Sequence, residues 1–317
     1  MDADRRVRGK LEGLSFLLPG VDVQALVRAT PALLRFDVKR CIGPKVEALQ
    51  AMLPGADVAA VVARSPELLC LSTKTTLDKL GRLQDVLPVG LEARTLVSKA
   101  PALLMLDMND SESSTSVPAK IGNLARALRK HAEAEGDDEV HLLAQVLKYC
   151  PTVLHYGSET VSAKVEALVG VLDPQTVRAV LSEAPKCLSL SSEDTLLPRV
   201  RALQALFPTV SVDRLVSGAP QLLVKKLDLH GQVAALRELF PWAEPADLVA
   251  GAPMLLALSK DTLAVKAKVW ELLLGPALAT PWQEVVSKHP NVLCQGVGRG
   301  ARLVHLSSSS CRTAAAA

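Results

Sequence analysis

Apolar residues along this chain fall three and four positions apart, in stripes that stop and restart at prolines and glycines. Side chains at that spacing share one face of an α-helix. One stripe runs Val23, Leu26 and Val27 and returns as Val58, Val61 and Val62 and as Val212, Leu215 and Val216. A second runs Val46, Leu49, Met52 and Leu53 and returns as Leu80, Leu83, Val86 and Leu87, as Val200, Leu203, Leu206 and Phe207, and as Val233, Leu236, Leu239 and Phe240. Between the two stands a breaker such as Pro54-Gly55, Pro88, Pro174, Pro208, Pro241 or Gly275-Pro276. Proline cannot continue a helix interior, so each unit reads as helix, sharp turn, helix.

Every unit closes on a Pro-x-apolar-Leu quartet, at Pro31, Pro66, Pro101, Pro151, Pro185, Pro220, Pro253 and Pro290. Successive prolines lie 35, 35, 50, 34, 35, 33 and 37 residues apart, a period that predicts stacked helical units. A proline suits the first turn of a helix, where its missing N–H leaves nothing unsatisfied, so the quartet predicts a third, short or 3₁₀, helix. The expected fold is all-α: a superhelical solenoid of about eight units, each with two long helices and one short, forming a single elongated domain over residues 1–305. The tail 306–317, with its run of serines and alanines, is expected to be disordered.

The interval of 50 residues holds an insertion, placed at 107–139, that lengthens two connections: NDSESSTS is read as a polar loop, and HAEAEGDDEV as a helix extension ending in an acidic turn. That segment carries eight acids and four bases. Setting it aside turns the overall charge of +3 into +7 for the remainder, a surplus that permits an anionic partner without demanding one.

Helix, Pro or Gly turn, helix and Pro-x-Leu-Leu short helix together resemble the mitochondrial transcription termination factor (mTERF) family, over residues 10–293. The resemblance implies an organellar protein, in chloroplast or mitochondrion, that lays a basic concave groove along double-stranded DNA or structured RNA. It further implies a role in transcription termination, transcript processing, intron splicing or ribosome assembly. Double-stranded DNA is the favoured partner, with a protein of the organellar expression machinery as a possible second one. No transit peptide is visible: MDADRRVRGK has acids at positions 2 and 4 and leads straight into the first unit.

Two sets of bases recur with the repeat. Lys10, Lys45, Lys79, Lys120, Lys164, Arg199 and Lys268 stand near the start of the first helix, with Gln232 in the seventh unit. A cation there opposes the helix dipole, so something must offset the cost. Two accounts fit: a ladder of phosphate contacts, or aliphatic stems covering apolar surface while the charge reaches water. The second set, Arg28, Arg64, Lys99, Lys148 and Lys288, ends the second helix, where the dipole favours positive charge with or without a ligand. On the phosphate account, reversing Lys45, Lys79, Lys164 and Arg199 to Glu abolishes nucleic-acid binding and leaves the melting temperature nearly unchanged. Tyr149, Tyr156 and Phe36 flank quartets and read more readily as core than as base-stacking groups.

Nothing in the pattern points to catalysis, a cofactor or a metal. The six cysteines, Cys41, Cys70, Cys150, Cys187, Cys294 and Cys311, are scattered without CxxC spacing, and no HExxH occurs. GVGRG at Gly296–Gly300 follows no strand pattern and reads as an exit from the last unit. No apolar run is long enough to cross a bilayer, so no membrane is expected. The competing reading of the whole chain is a solenoid that holds a protein or peptide, its bases serving only to solvate it.

Overall fold

A computed structural model describes residues 2–109, 115–132, 136–274 and 282–295 of the 317-residue chain. The tail, GVGRG, Cys311, most of NDSESSTS and part of HAEAEGDDEV lie outside the described residues. Those described hold sixteen α-helices and no strand. The chain divides into two compact units, Met1–Glu166 and Ala167–Ala317.

The first compact unit contains α1 (Asp2–Leu17), α2 (Val23–Ala29), α3 (Gly43–Met52), α4 (Val58–Arg64), α5 (Thr73–Val86), α6 (Ala93–Lys99), α7 (Val117–Ala132) and α8 (Asp137–Tyr149); α9 (Ser158–Val169) runs across the division. The second contains α10 (Pro174–Glu183), α11 (Leu197–Leu206), α12 (Val212–Gly218), α13 (Leu229–Leu239), α14 (Pro245–Gly251), α15 (Lys260–Leu274) and α16 (Trp282–Lys288). Odd-numbered helices carry the upstream stripe and even-numbered helices the downstream one.

All eight quartets fold as 3₁₀ helices with proline in the first turn, from Pro31–Arg35 to Pro290–Leu293. The stripes face inward: Val46, Leu49 and Met52 of α3 are buried, as are Val58, Val61 and Val62 of α4. Leu69, Leu104, Leu154, Leu188, Leu223, Leu256 and Leu293, the last residues of seven quartets, are at most 1% exposed.

The turns are built by local chemistry. Asp22 and Asp57 accept from the amides of Ala25 and Ala60 at 2.9 and 3.1 Å, satisfying donors at the starts of α2 and α4. The Gly20 and Gly55 just before them sit at φ 83° and 79°, where a side chain is strained. Single π-turns, Val38–Ile42 and Ser192–Leu196, lead into α3 and α11 just ahead of Pro44 and Pro198, whose missing N–H interrupts the regular ladder.

The insertion is absorbed largely into longer helices. α7 and α8 run 16 and 13 residues against 10 and 7 for α3 and α4, and Arg129 holds the extension by a bidentate pair to the nearly buried Glu139 at 2.9 and 3.0 Å. This Glu139 of the expected acidic turn is therefore already neutralised.

Successive modules also meet at bare backbone. A Cβ built on Gly218 would lie 2.7 Å from Pro253 Cγ of the next quartet, and one on Gly251 would lie 2.5 Å from Pro290 Cγ. Glycine is required at both places by close approach.

Two stability experiments follow from this packing. Leu69→Ala and Leu223→Ala should each cost about 2–5 kcal/mol in denaturant unfolding, as buried leucines do. Helical Gly→Ala changes should differ in sign: Gly81, with open space around it, should gain about 0.5–1 kcal/mol, whereas Gly218→Ala should destabilise by forcing Pro253 away.

Candidate nucleic-acid interface

The first set of bases does something neither sequence account anticipated. Lys10 Nζ donates to the carbonyl of Leu34 at 2.5 Å, Lys45 to Leu69 at 2.6 Å, Lys120 to Leu154 at 2.7 Å, and Lys79 to both Leu104 and Leu106 at 2.8 Å. Arg199 donates likewise to Leu223. In each case the acceptor is the fourth residue of the quartet, or that residue and one just beyond it. This carbonyl is where a 3₁₀ ladder runs out, and it carries the negative end of the short helix dipole. An ammonium or guanidinium from the first helix supplies the missing donor. The unfavourable position at the start of one helix is offset by a favourable one at the end of another.

The eighth unit corrects one assignment. There the donor is Lys266, to Leu293 at 2.7 Å and Gln295 at 3.1 Å, while Lys268 is exposed and makes no such bond. Lys266 stands 13 residues after Pro253, as Lys79 stands 13 after Pro66, so the spacing held the signal. The seventh unit keeps the contact with a neutral group: Gln232 Nε2 donates to Leu255 at 3.0 Å, one carbonyl earlier.

Burial pulls the Lys79 and Lys120 ammoniums below ordinary lysine values, with Asp107 drawing Lys79 partly back. Lys45 also lies 4.7 Å from the ring centre of Phe36, and Lys164 lies 4.5 Å from that of Tyr156. These two aromatics are half-buried. Reversing Lys45, Lys79 and Arg199 would remove these donors from the ends of the short helices, so a lowered melting temperature is expected in place of an unchanged one.

The second set is arranged differently. Arg64 donates to Lys99 and Ser98 carbonyls at 2.8 and 2.7 Å, capping α6 from the end of α4, and Lys99 donates to the Lys148 carbonyl at 3.0 Å, capping α8. Lys99 and Lys148 lie 5.6 and 5.4 Å from the ring centre of Tyr149, which is 48% exposed and so is not core. Arg28 bonds Gln24 on its own helix, and Lys288 pairs with Glu284 at 2.6 Å. Arg28, Arg64, Lys99 and Lys148 are all exposed, and among the described residues none is paired with a carboxylate. Each bonded cation keeps further N–H groups for a ligand, since guanidinium has five and ammonium three. Gly218 and Gly251 occupy the corresponding register in the second compact unit, where the proline of the following module covers the site.

No competing chemistry is assembled among the described residues. No group of His, Cys, Asp and Glu is placed to hold a metal ion, and no helix is long and apolar enough to cross a membrane. Cys150 and Cys187 are buried, and burial pushes the Cys294 thiol up to about 11 despite nearby Lys266, far from a reactive thiolate.

Residues 91–233 match the mTERF family model. No curated protein matches the chain.

Lys45→Met keeps most of the apolar stem and removes the donor, and should cost about 1.5–3 kcal/mol, as loss of a charged hydrogen bond to a part-buried acceptor does. Lys268→Met should stay within about 0.5 kcal/mol. Urea unfolding of the two variants side by side separates pinned from unpinned lysines.

Proposed function

Since the chain belongs to the mTERF family, whose members are nucleic-acid-binding regulators of organellar gene expression rather than typical enzymes, we propose that it grips a nucleic acid by the phosphate backbone inside an organelle. Double-stranded DNA is the favoured ligand and structured RNA the second, with a role in transcription termination or transcript processing in chloroplast or mitochondrion. The reading rests on one observation above others: Arg28, Arg64, Lys99 and Lys148 sit at the ends of α2, α4, α6 and α8, exposed and paired with no carboxylate among the described residues, while Lys10, Lys45, Lys79, Lys120 and Arg199 of the other ladder are committed to backbone carbonyls.

A repeating row of cations at module spacing suits a polyanion, because each phosphate neutralised releases condensed counterions. Arg64 and Lys99 are held in place by the neighbouring module, which lowers the entropy lost on binding. Of the bases expected to contact nucleic acid, Lys10, Lys45, Lys79, Lys120 and Arg199 act in this scheme as supports. Arg28, Arg64, Lys99 and Lys148, with Lys268 as an outlying contact, do the gripping. The competing protein-binding reading finds no comparably ordered set of exposed apolar groups among the described residues.

Four backbone contacts should give a slope of log K against log salt of roughly −3.6 on duplex DNA, from about 0.9 per contact. The double variant Arg28→Glu, Lys148→Glu changes residues that cap no neighbouring module, so it should lower affinity and flatten that slope by about 2 while unfolding as the parent does. Fluorescence anisotropy on duplex DNA and on hairpin RNA across a salt series measures both. Undiminished affinity in this variant would remove the row from the interface, and binding that persists at about 0.5 M salt would favour a protein ligand. Crosslinking in the native organelle, followed by sequencing, names the bound locus.

A further inference from the structure

The seventh module departs from the others at the pin, and the departure leaves a gap. In the seventh, between the start of α13, the short helix Pro253–Ala257 and the start of α15, an open cleft of about 450 Å³ is lined by Lys226, Asp228, Gln232, Leu256, Ser259 and Lys260. Gln232 is too short to do what lysine does elsewhere and stops at the Leu255 carbonyl.

Leu256 is the fourth residue of its quartet, equivalent to Leu69, Leu104, Leu154, Leu223 and Leu293, all of which accept from a cation. It is 1% exposed, and its carbonyl receives no hydrogen bond among the described residues. Those other quartets supply a donor at this point from within the module, and this one does not. We infer that this cleft is a binding site for a primary ammonium or guanidinium group supplied from outside the chain, which takes the place of the missing lysine head group.

Two lining groups offer acceptors to a cationic guest. Asp228 uses Oδ1 to cap the Gly231 amide at 2.9 Å and keeps Oδ2 for a ligand, and Ser259 presents a hydroxyl shared with Thr262 at 2.8 Å. Lys260 is neutralised by Glu238 at 2.6 Å, which leaves Lys226 as the one lining cation with no partner among the described residues. An anion would meet Asp228 and the carbonyls at the end of the short helix, a poor environment for it. The inference is independent of nucleic-acid binding, since the cleft uses none of the cations assigned to phosphates.

The test is backbone-amide NMR of the full chain titrated with n-butylammonium, n-butylguanidinium and a blocked Gly-Lys-Gly peptide at constant ionic strength, with sodium chloride as reference. Saturable shifts at Ala257, Leu258 and Ser259 are expected, to be abolished in Gln232→Lys, which supplies its own pin and should also raise the melting temperature. Gln232→Met should retain binding, and serves if the lysine variant misfolds. Lys226→Gln should tighten binding about threefold by removing a nearby like charge. Stronger binding of the peptide assigns the guest to a protein side chain, and equal binding assigns it to a free amine. Absence of saturable shifts with all three probes overturns the inference, as does binding unchanged in Gln232→Lys.

Discussion

One contact organises six of the eight modules: a cationic side chain on the first helix donating to the last carbonyl of the 3₁₀ quartet, 24 to 34 residues later. A short 3₁₀ helix has poor hydrogen-bond geometry and cannot stand alone. It survives here because its leucine is buried beneath and its open carbonyl is satisfied from above. Remove the donor and a buried acceptor is orphaned; remove the leucine and the platform under the carbonyl is lost. The proline that opens the quartet sets where this junction falls, so proline, leucine and lysine act as one device although they are distant in sequence.

The connections between modules are less uniform. Along the first compact unit, Arg64 and Lys99 reach forward and cap the next module's second helix, whereas in the second unit Gly218 and Gly251 let the following proline rest on bare backbone. The same register position thus solves the same problem by a long side chain or by none. The first solution leaves charge on the surface and the second buries the position, which is why the proposed phosphate row is confined to one part of the chain.

The helices, their breakers and the short third element were legible in the sequence because apolar spacing and proline chemistry are local properties. The pins were not. Composition showed a recurring lysine and the dipole argument showed that its position needed a reason, yet the acceptor lies some 24 residues on, beyond the reach of periodicity. Lys266 and Lys268 both precede an apolar residue, and the count from the quartet proline is what marks Lys266 as the counterpart of Lys79. Tyr149 reads as core from its place beside a quartet, whereas it is 48% exposed with two ammoniums beside it, a contact that depends on a lysine 50 residues earlier. Gln232 registered only as a missing base, whereas its consequence is a cleft.

Because both partners of each pin belong to one module, closure depends on a short stretch of chain and not on the assembly of the whole. Low contact order of this kind favours rapid, independent nucleation. During synthesis, a module can lock as soon as its own short helix clears the ribosomal tunnel, before the next has emerged, so little apolar surface is left waiting for distant sequence to arrive.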